Sequence, residues 1–320
     1  MKSRFAVFVS LVFFSCGVFA QTYPAKPLRL IVSDGTGSVA DMRARQLGVK
    51  LTEFLGQAVV IDNRPGGNMI IGAEAAARAP ADGHTLFLGN CVTHVNNPML
   101  FRNLPYRPEE DFVPVTALSA GPLIFAVNAQ LPAGNLAELV ALGKTRPGQI
   151  AYGAVGRGGA AHLLMEQVKS VTGADFNLVP YKSLGTALQD VVAGHLPVFP
   201  YYWSSLLPHV KSGKVKALAV AATRRLAAAP DIPTTAEAGF PGIEGGCWQG
   251  IFVPTGTPKP VIARLREEIA RVLNLPEIRN QLIETGAEVG GNTPEEFAAF
   301  IRADRVRSKK IYEVAGITPE

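Results

Sequence analysis

The sequence is poor in the residues that carry most catalytic and metal chemistry, with three Cys, two Trp and five His in 320 residues. Three cysteines cannot build a disulfide framework or a four-thiolate metal site. His84, His94, His162, His195 and His209 fall at no metal-ligand spacing. No Gly-x-Ser-x-Gly elbow occurs, which removes the commonest hydrolase nucleophile turn. Charge of one sign is also lacking: 31 Lys+Arg face 26 Asp+Glu, too even a balance for a nucleic-acid footprint.

Long apolar runs are absent too, and the one near the start is short. Lys2 and Arg4 precede "FAVFVSLVFF", and "VFA" ends at Ala20. This has the form of a cleaved secretory signal over residues 1–20, and its core is too short for a membrane span. Cys16 sits in "FFSC", without the Leu and small residues that precede a lipidated cysteine. Loss of Lys2 and Arg4 leaves 29 cations against 26 anions, a net of +3. Cys91 and Cys247 remain; an oxidising compartment permits a bond between them, and a buried free pair is the alternative.

Beyond the signal, short β-branched runs alternate with segments of helical period. "LRLIV", "AVVID", "HTLFLG", "LIFAVN", "QIAYGAV", "FNLVPY", "VKALAVAA" and "WQGIFVP" read as strands, and 40–55, 135–146, 160–172 and 184–193 as helices. Such alternation predicts α/β lobes with largely parallel sheets, and about 300 residues exceed one core. Thr293-Pro294-Glu295-Glu296 is a capping box opening a C-terminal helix. "FVPVTALSAGPLIFAVN" and "GIEGGCWQGIFVP" read as crossovers between two lobes, so that the first lobe takes both chain ends: 21–121 with 245–320, and 122–244 for the second.

Two glycine turns carry the site reading. In "LRLIVSDGTGSVADMRAR" a strand enters Gly35-x-Gly37-x-x-Ala40 and then a helix, the form of a dinucleotide fingerprint with Asp62 as its acid. A secreted context and the "NRPGG" loop after Asp62 weigh against NAD, and no cofactor is called for. A second turn, Gly156-Arg157-Gly158-Gly159, repeats the strand-turn-helix form. Glycines admit a ligand close to the backbone, and helix N-termini favour an anion. Facing one another across a cleft, the two turns could hold a small carboxylate without metal or catalytic side chain. The bland alternative is that each merely makes a tight strand-helix turn.

With "YPAKPLRLIV", "VVIDNRPGG", "IGAEAAARAPADGHTL", "LPYRPEEDFVPV", "VPYKSLGTALQDVVAGHL", "PDIPTTAEAGFPG" and "WQGIFVPTGTPKPV" in view, the chain resembles the Bug family of solute receptors related to tripartite tricarboxylate transporters. The resemblance spans residues 22–317. It implies a type II periplasmic binding protein fold, an α/β Venus flytrap closing on a small carboxylate. It implies a periplasmic monomer that works with membrane permease subunits or, alternatively, a sensor, and that binds no nucleic acid. The implied ligand residues are Ser33, Asp34, Gly35, Thr36, Gly37, Ser38, Val39 and Ala40 of the first turn with Asp41, and Asn90 after the third strand is a further candidate. The second turn adds Gly156, Arg157, Gly158, Gly159 and His162, and a later stretch adds Tyr201 and Tyr202.

The departures from the family pattern "PFAPGGGTD" cluster in the first turn, where Ser33 and Asp34 replace a proline and an aromatic. Tyr201 and Tyr202, with Trp203 next, stand where the family carries an "FDN"-like stretch, which points to a planar or aromatic acid. Asp34 and Arg157 point to a zwitterion, or to each other. A secreted enzyme using Cys91 beside His94 is a further alternative.

Overall fold

The computed structural model describes residues 23–155, 158–181 and 184–319, so the expected signal segment, Gly156 and Arg157 lie outside the described residues. "LRLIV" forms β1 (Leu28–Val32), with four of its five residues buried. It lies between two parallel neighbours, β2 (Val59–Asn63) and β3 (Thr85–Asn90). The connecting helix α1 (Val39–Leu55) starts at Ser38, whose Oγ accepts the Asp41 N–H, and stops at Gly56 in the left-handed region. Helix α2 (Ile70–Ala77) leads into β3, and a π-helical turn (Val92–Asn96) followed by α3 (Asn97–Leu100) leaves it.

The strand β4 (Phe112–Asn128) is one continuous element of 17 residues that joins two sheet regions, and because its pairings are all antiparallel the sheets are mixed rather than largely parallel as the alternation predicts. As far as Pro122 it pairs with β9 (Gly246–Pro254), which pairs in turn with β3. From Leu123 onward its partners are β7 (Tyr201–Tyr202) on one side and β8 (Val215–Val220) on the other. Beside them β5 (Ala151–Val155) and β6 (Asn177–Tyr181) run parallel, and Val198 bridges Tyr152 to Val127. A short β10 (Glu288–Val289) closes the far edge of the first sheet against β4.

Helices cover each sheet, and each covered sheet has its own core. The first core takes Leu30, Leu47 and Leu51 from early in the chain and Ile251, Leu265 and Ile269 from late in it. Helix α8 (Lys259–Leu273) supplies the last two, and α9 (Pro276–Glu284) packs behind it. The second core draws on Leu123, Phe125, Leu139, Tyr152, Leu164 and Leu218, between α4 (Leu136–Thr145), α5 (Ala160–Thr172) and the sheet. On its other face lie α6 (Leu184–Ala193) and α7 (Trp203–Lys211), with Ala187, Val191 and Leu206 buried. Each such aliphatic side chain contributes roughly 1.5–3 kcal/mol. The capping box of α10 (Pro294–Val314) is formed in full, with Thr293 and Glu296 exchanging bonds.

Cys91 and Cys247 are joined in a disulfide with Cα atoms 5.4 Å apart, tying the end of β3 to the start of β9 across 156 residues of sequence. Close by, His94 stacks on Phe252 with ring centroids 3.8 Å apart and places Nδ1 2.9 Å from Thr93 Oγ1. Burial pushes its imidazole down from 6.5 to about 3, and the Arg305 cation adds to the effect.

Two outcomes follow. The double variant Cys91→Ser, Cys247→Ser loses roughly 2–5 kcal/mol of stability, read as a fall in urea midpoint that reductant reproduces in the unmodified chain. His94 binds its proton more readily unfolded than folded. Stability therefore falls as pH drops through the window from 6.5 to about 3, by at most about 1.4 kcal/mol per pH unit from this group. His94→Leu flattens that limb of a pH series of urea midpoints; an unchanged slope would show that His94 is not its source.

Candidate functional site

A cavity of about 560 Å³ opens where β4 passes from one sheet to the other. One wall is the first glycine turn and the start of α1; the opposite wall is the second glycine turn and the start of α5. Of the residues expected from sequence, Asp34, Gly37, Ser38, Asn90, Gly158, Gly159, Tyr201 and Tyr202 all line it.

Gly156 and Arg157 lie outside the described residues, and five others of the expected residues do not line the cavity. Ser33 is buried, turned toward Gly72 of α2, where a Cβ would lie 2.4 Å from its Oγ. Gly35 and Thr36 are exposed on the outside of the turn. Asp41 is 2 % exposed and accepts from the Gly37 N–H at 2.8 Å and from Arg45 Nε at 3.0 Å. These bonds hold its carboxyl down at about 2. His162 is buried, and its Nδ1 accepts the Gly158 N–H at 2.9 Å. These five shape the turns and do not line the cavity.

The open donors lie one step later than the turns. The Gly37 N–H is spent on Asp41 and the Ser38 N–H on the Gly35 carbonyl at 3.1 Å. Among the described residues, the N–H groups of Val39 and Ala40 have no acceptor, and both residues line the cavity. The start of α5 resembles this: Gly159 caps it without a side-chain bond, and Ala160 and Ala161 line the opposite wall with no acceptor for their N–H groups among the described residues. Two helix N-termini therefore turn positive partial charge, and amides with no acceptor among the described residues, toward one space.

Gly158 locks the second turn. It has φ +76, and a Cβ there would lie 2.7 Å from Leu100 Cδ2 and 2.9 Å from Tyr312 Oη. Its carbonyl accepts from Tyr312 Oη at 2.9 Å and Asn96 Nδ2 at 3.5 Å, so the π-turn and α10 both grip it. Asn90 holds that π-turn in place, its Oδ1 accepting from the N–H groups of Val92 and Thr93 at 3.0 and 3.1 Å.

Sequence reasoning missed Arg43. It lies on α1 with no motif around it, yet it lines the cavity and sends Nη1 to Ser119 Oγ and Gln249 Oε1, both at 3.0 Å. Burial lowers its pKa, and the Tyr202 phenol is close enough to act on it electrostatically. Tyr201 stacks on buried Phe199 at 4.9 Å and meets Tyr202 edge-on at 5.1 Å; burial pushes its hydroxyl up to about 12.

Cys91 also lines the cavity, but its sulfur is committed to Cys247 and offers no thiolate. His94 is buried and its imidazole, pushed down to about 3, is too weak a base to activate a thiol, so the thiol-enzyme alternative loses support from both residues. Among the described residues no cluster of three His, Cys, Asp or Glu is placed to hold a metal ion, and no helix is long and apolar enough to cross a membrane.

Comparison with known proteins agrees with this architecture. Residues 43–317 match the model of the tripartite tricarboxylate transporter family receptor. BugT of Bordetella pertussis is 34 % identical over 94 % of this chain and 92 % of its own. An R. palustris protein solved with adipate superposes with a TM-score of 0.84 at 33 % identity, covering 93 % of this chain and 100 % of that one. MatC from Rhodopseudomonas palustris, with bound malate, gives 0.78 at 30 % identity over 90 % and 99 %. The fold is the two-lobed type II periplasmic binding protein arrangement, and the chain belongs to the Bug family of tripartite tricarboxylate transporter receptors.

Proposed function

We propose that this receptor captures a small carboxylate in the cavity between its lobes and delivers it to membrane permease subunits, as a periplasmic monomer exported by the signal at residues 1–20. The lobes that close are 21–121 with 245–320, and 122–244. The observation that carries the reading is the pair of facing helix N-termini, with the amides of Val39 and Ala40 on one wall and those of Ala160 and Ala161 on the other. Each charge-assisted bond to a carboxylate contributes roughly 1.5–3 kcal/mol, so four reach the ~8 kcal/mol of a micromolar ligand. Binding needs no cofactor and no bond-making step. Adipate and malate in the solved relatives are acids of suitable size.

A thermal-shift screen of ligand-stripped protein against aliphatic diacids, aromatic acids and amino acids tests the reading. An acid at a hundred times its dissociation constant adds about 2.7 kcal/mol and raises Tm by about 5 °C or more; no shift with any acid refutes the assignment. A shift confined to aromatic acids would assign Tyr201 and Tyr202 a stacking role. For the acid that shifts most, Gly158→Ala weakens binding at least tenfold, because a side chain at φ +76 must displace Leu100 and Tyr312 from the second turn. Unchanged affinity in that variant would remove the second turn from the site.

A further inference from the structure

Two opposite charges stand in the cavity wall, and among the described residues nothing neutralises either. Arg43 uses Nη1 for Ser119 Oγ and Gln249 Oε1, which are register partners on β4 and β9. Among the described residues, its Nε and Nη2 have no hydrogen-bond partner and no carboxylate forms an ion pair with it. A neutral amide donor would tie α1 to those two strands equally well, so tethering does not account for the charge. Half-burying a guanidinium without an anion is unfavourable, and its planar fork suits a carboxylate.

Asp34 is the converse. It follows β1, lines the same cavity and has its backbone carbonyl fixed by Asn63 Nδ2 at 3.1 Å. Its carboxylate makes no hydrogen bond or ion pair among the described residues, and burial raises its pKa. No ion pair joins it to Arg43. A dianion seated on Arg43 and the helix amides would bring a second negative charge toward Asp34; an acid that also carries an amine would satisfy both groups.

We propose that Arg43 and Asp34 are the specificity-determining pair of this receptor, Arg43 anchoring the ligand's carboxylate and Asp34 its ammonium group, so that the ligand is an amine-bearing acid. This rests on the reading of the cavity as a carboxylate site. The amides at the two helix starts then share the carboxylate with Arg43, and the Arg43 bonds to Ser119 and Gln249 link ligand occupancy to the two strands that cross between the lobes.

The test is calorimetric titration with chain-matched probes: succinate, glutarate and adipate against 4-aminobutanoate, 5-aminopentanoate and 6-aminohexanoate. The unmodified receptor is expected to bind the best amino acid at least tenfold tighter than the diacid of equal length. Asp34→Asn removes that preference while retaining diacid binding. Arg43→Gln weakens every probe at least tenfold, and Arg43→Lys, which keeps the cation, recovers most of the loss. Diacids bound tighter than amino acids by the unmodified receptor, or a preference that survives Asp34→Asn, would overturn the pair while leaving the carboxylate reading standing. Unchanged affinity in folded Arg43→Gln would reduce Arg43 to a tether and overturn the proposal as well. Failure of every probe with the unmodified receptor would overturn both readings.

Discussion

The backbone ladder of β4 is the constraint on which the rest of the molecule depends. One strand of 17 residues changes partners at Pro122 to Leu123, leaving β9 behind and taking up β7 and β8. Strand pairing fixes both position and register, so each sheet is set relative to the other by this strand and by β9 beside it. The cavity lies where the two sheets diverge from a common line, and α1 and α5, which start at strand ends there, turn their N-termini into the gap. Ser119 and Gln249, register partners just before the switch, are the atoms that hold Arg43.

The walls of the cavity divide their work between groups that shape and groups that remain open. Asp41, His162, Asn90 and Tyr312 spend their polar atoms on backbone, fixing the two turns and the π-turn between them. Among the described residues, the amides at the start of α1 and α5 are left unspent, as are Nε and Nη2 of Arg43. A side chain that is already satisfied orients the backbone without competing for the ligand. This is why Asp41 and His162 lie behind the lining while Asp34 stands in it.

Much of the fold was legible in the sequence because it is written in period and punctuation. The strand and helix alternation, the capping box at Thr293 and the crossover character of 112–128 all follow from local residue types. Helices α5 and α6 begin and end where the helical period does. The site was legible only as two places in the chain. That Gly37 and Ser38 would use their own N–H groups locally, leaving those of Val39 and Ala40 free, depends on turn geometry that residue identity does not encode. Arg43 gave no signal because its partners are 76 and 206 residues away. The bond between Cys91 and Cys247 was open for the same reason: sequence does not place two Cα atoms 5.4 Å apart.

The way the first core is assembled makes its completion depend on both ends of the chain. Leu30 and Leu47 emerge early, but their partners Leu265 and Ile269 arrive more than two hundred residues later, after the whole of the second core has been made. Residues 123–243, with their own sheet and helices, can condense while the amino-terminal strands still wait for a partner. The exposed edge of β3 stays unpaired until β9 is available, and Cys91 stays a thiol for as long. The first sheet and its core are therefore completed only by the last third of the chain, which supplies both the edge partner of β3 and the helix that covers Leu30 and Leu47.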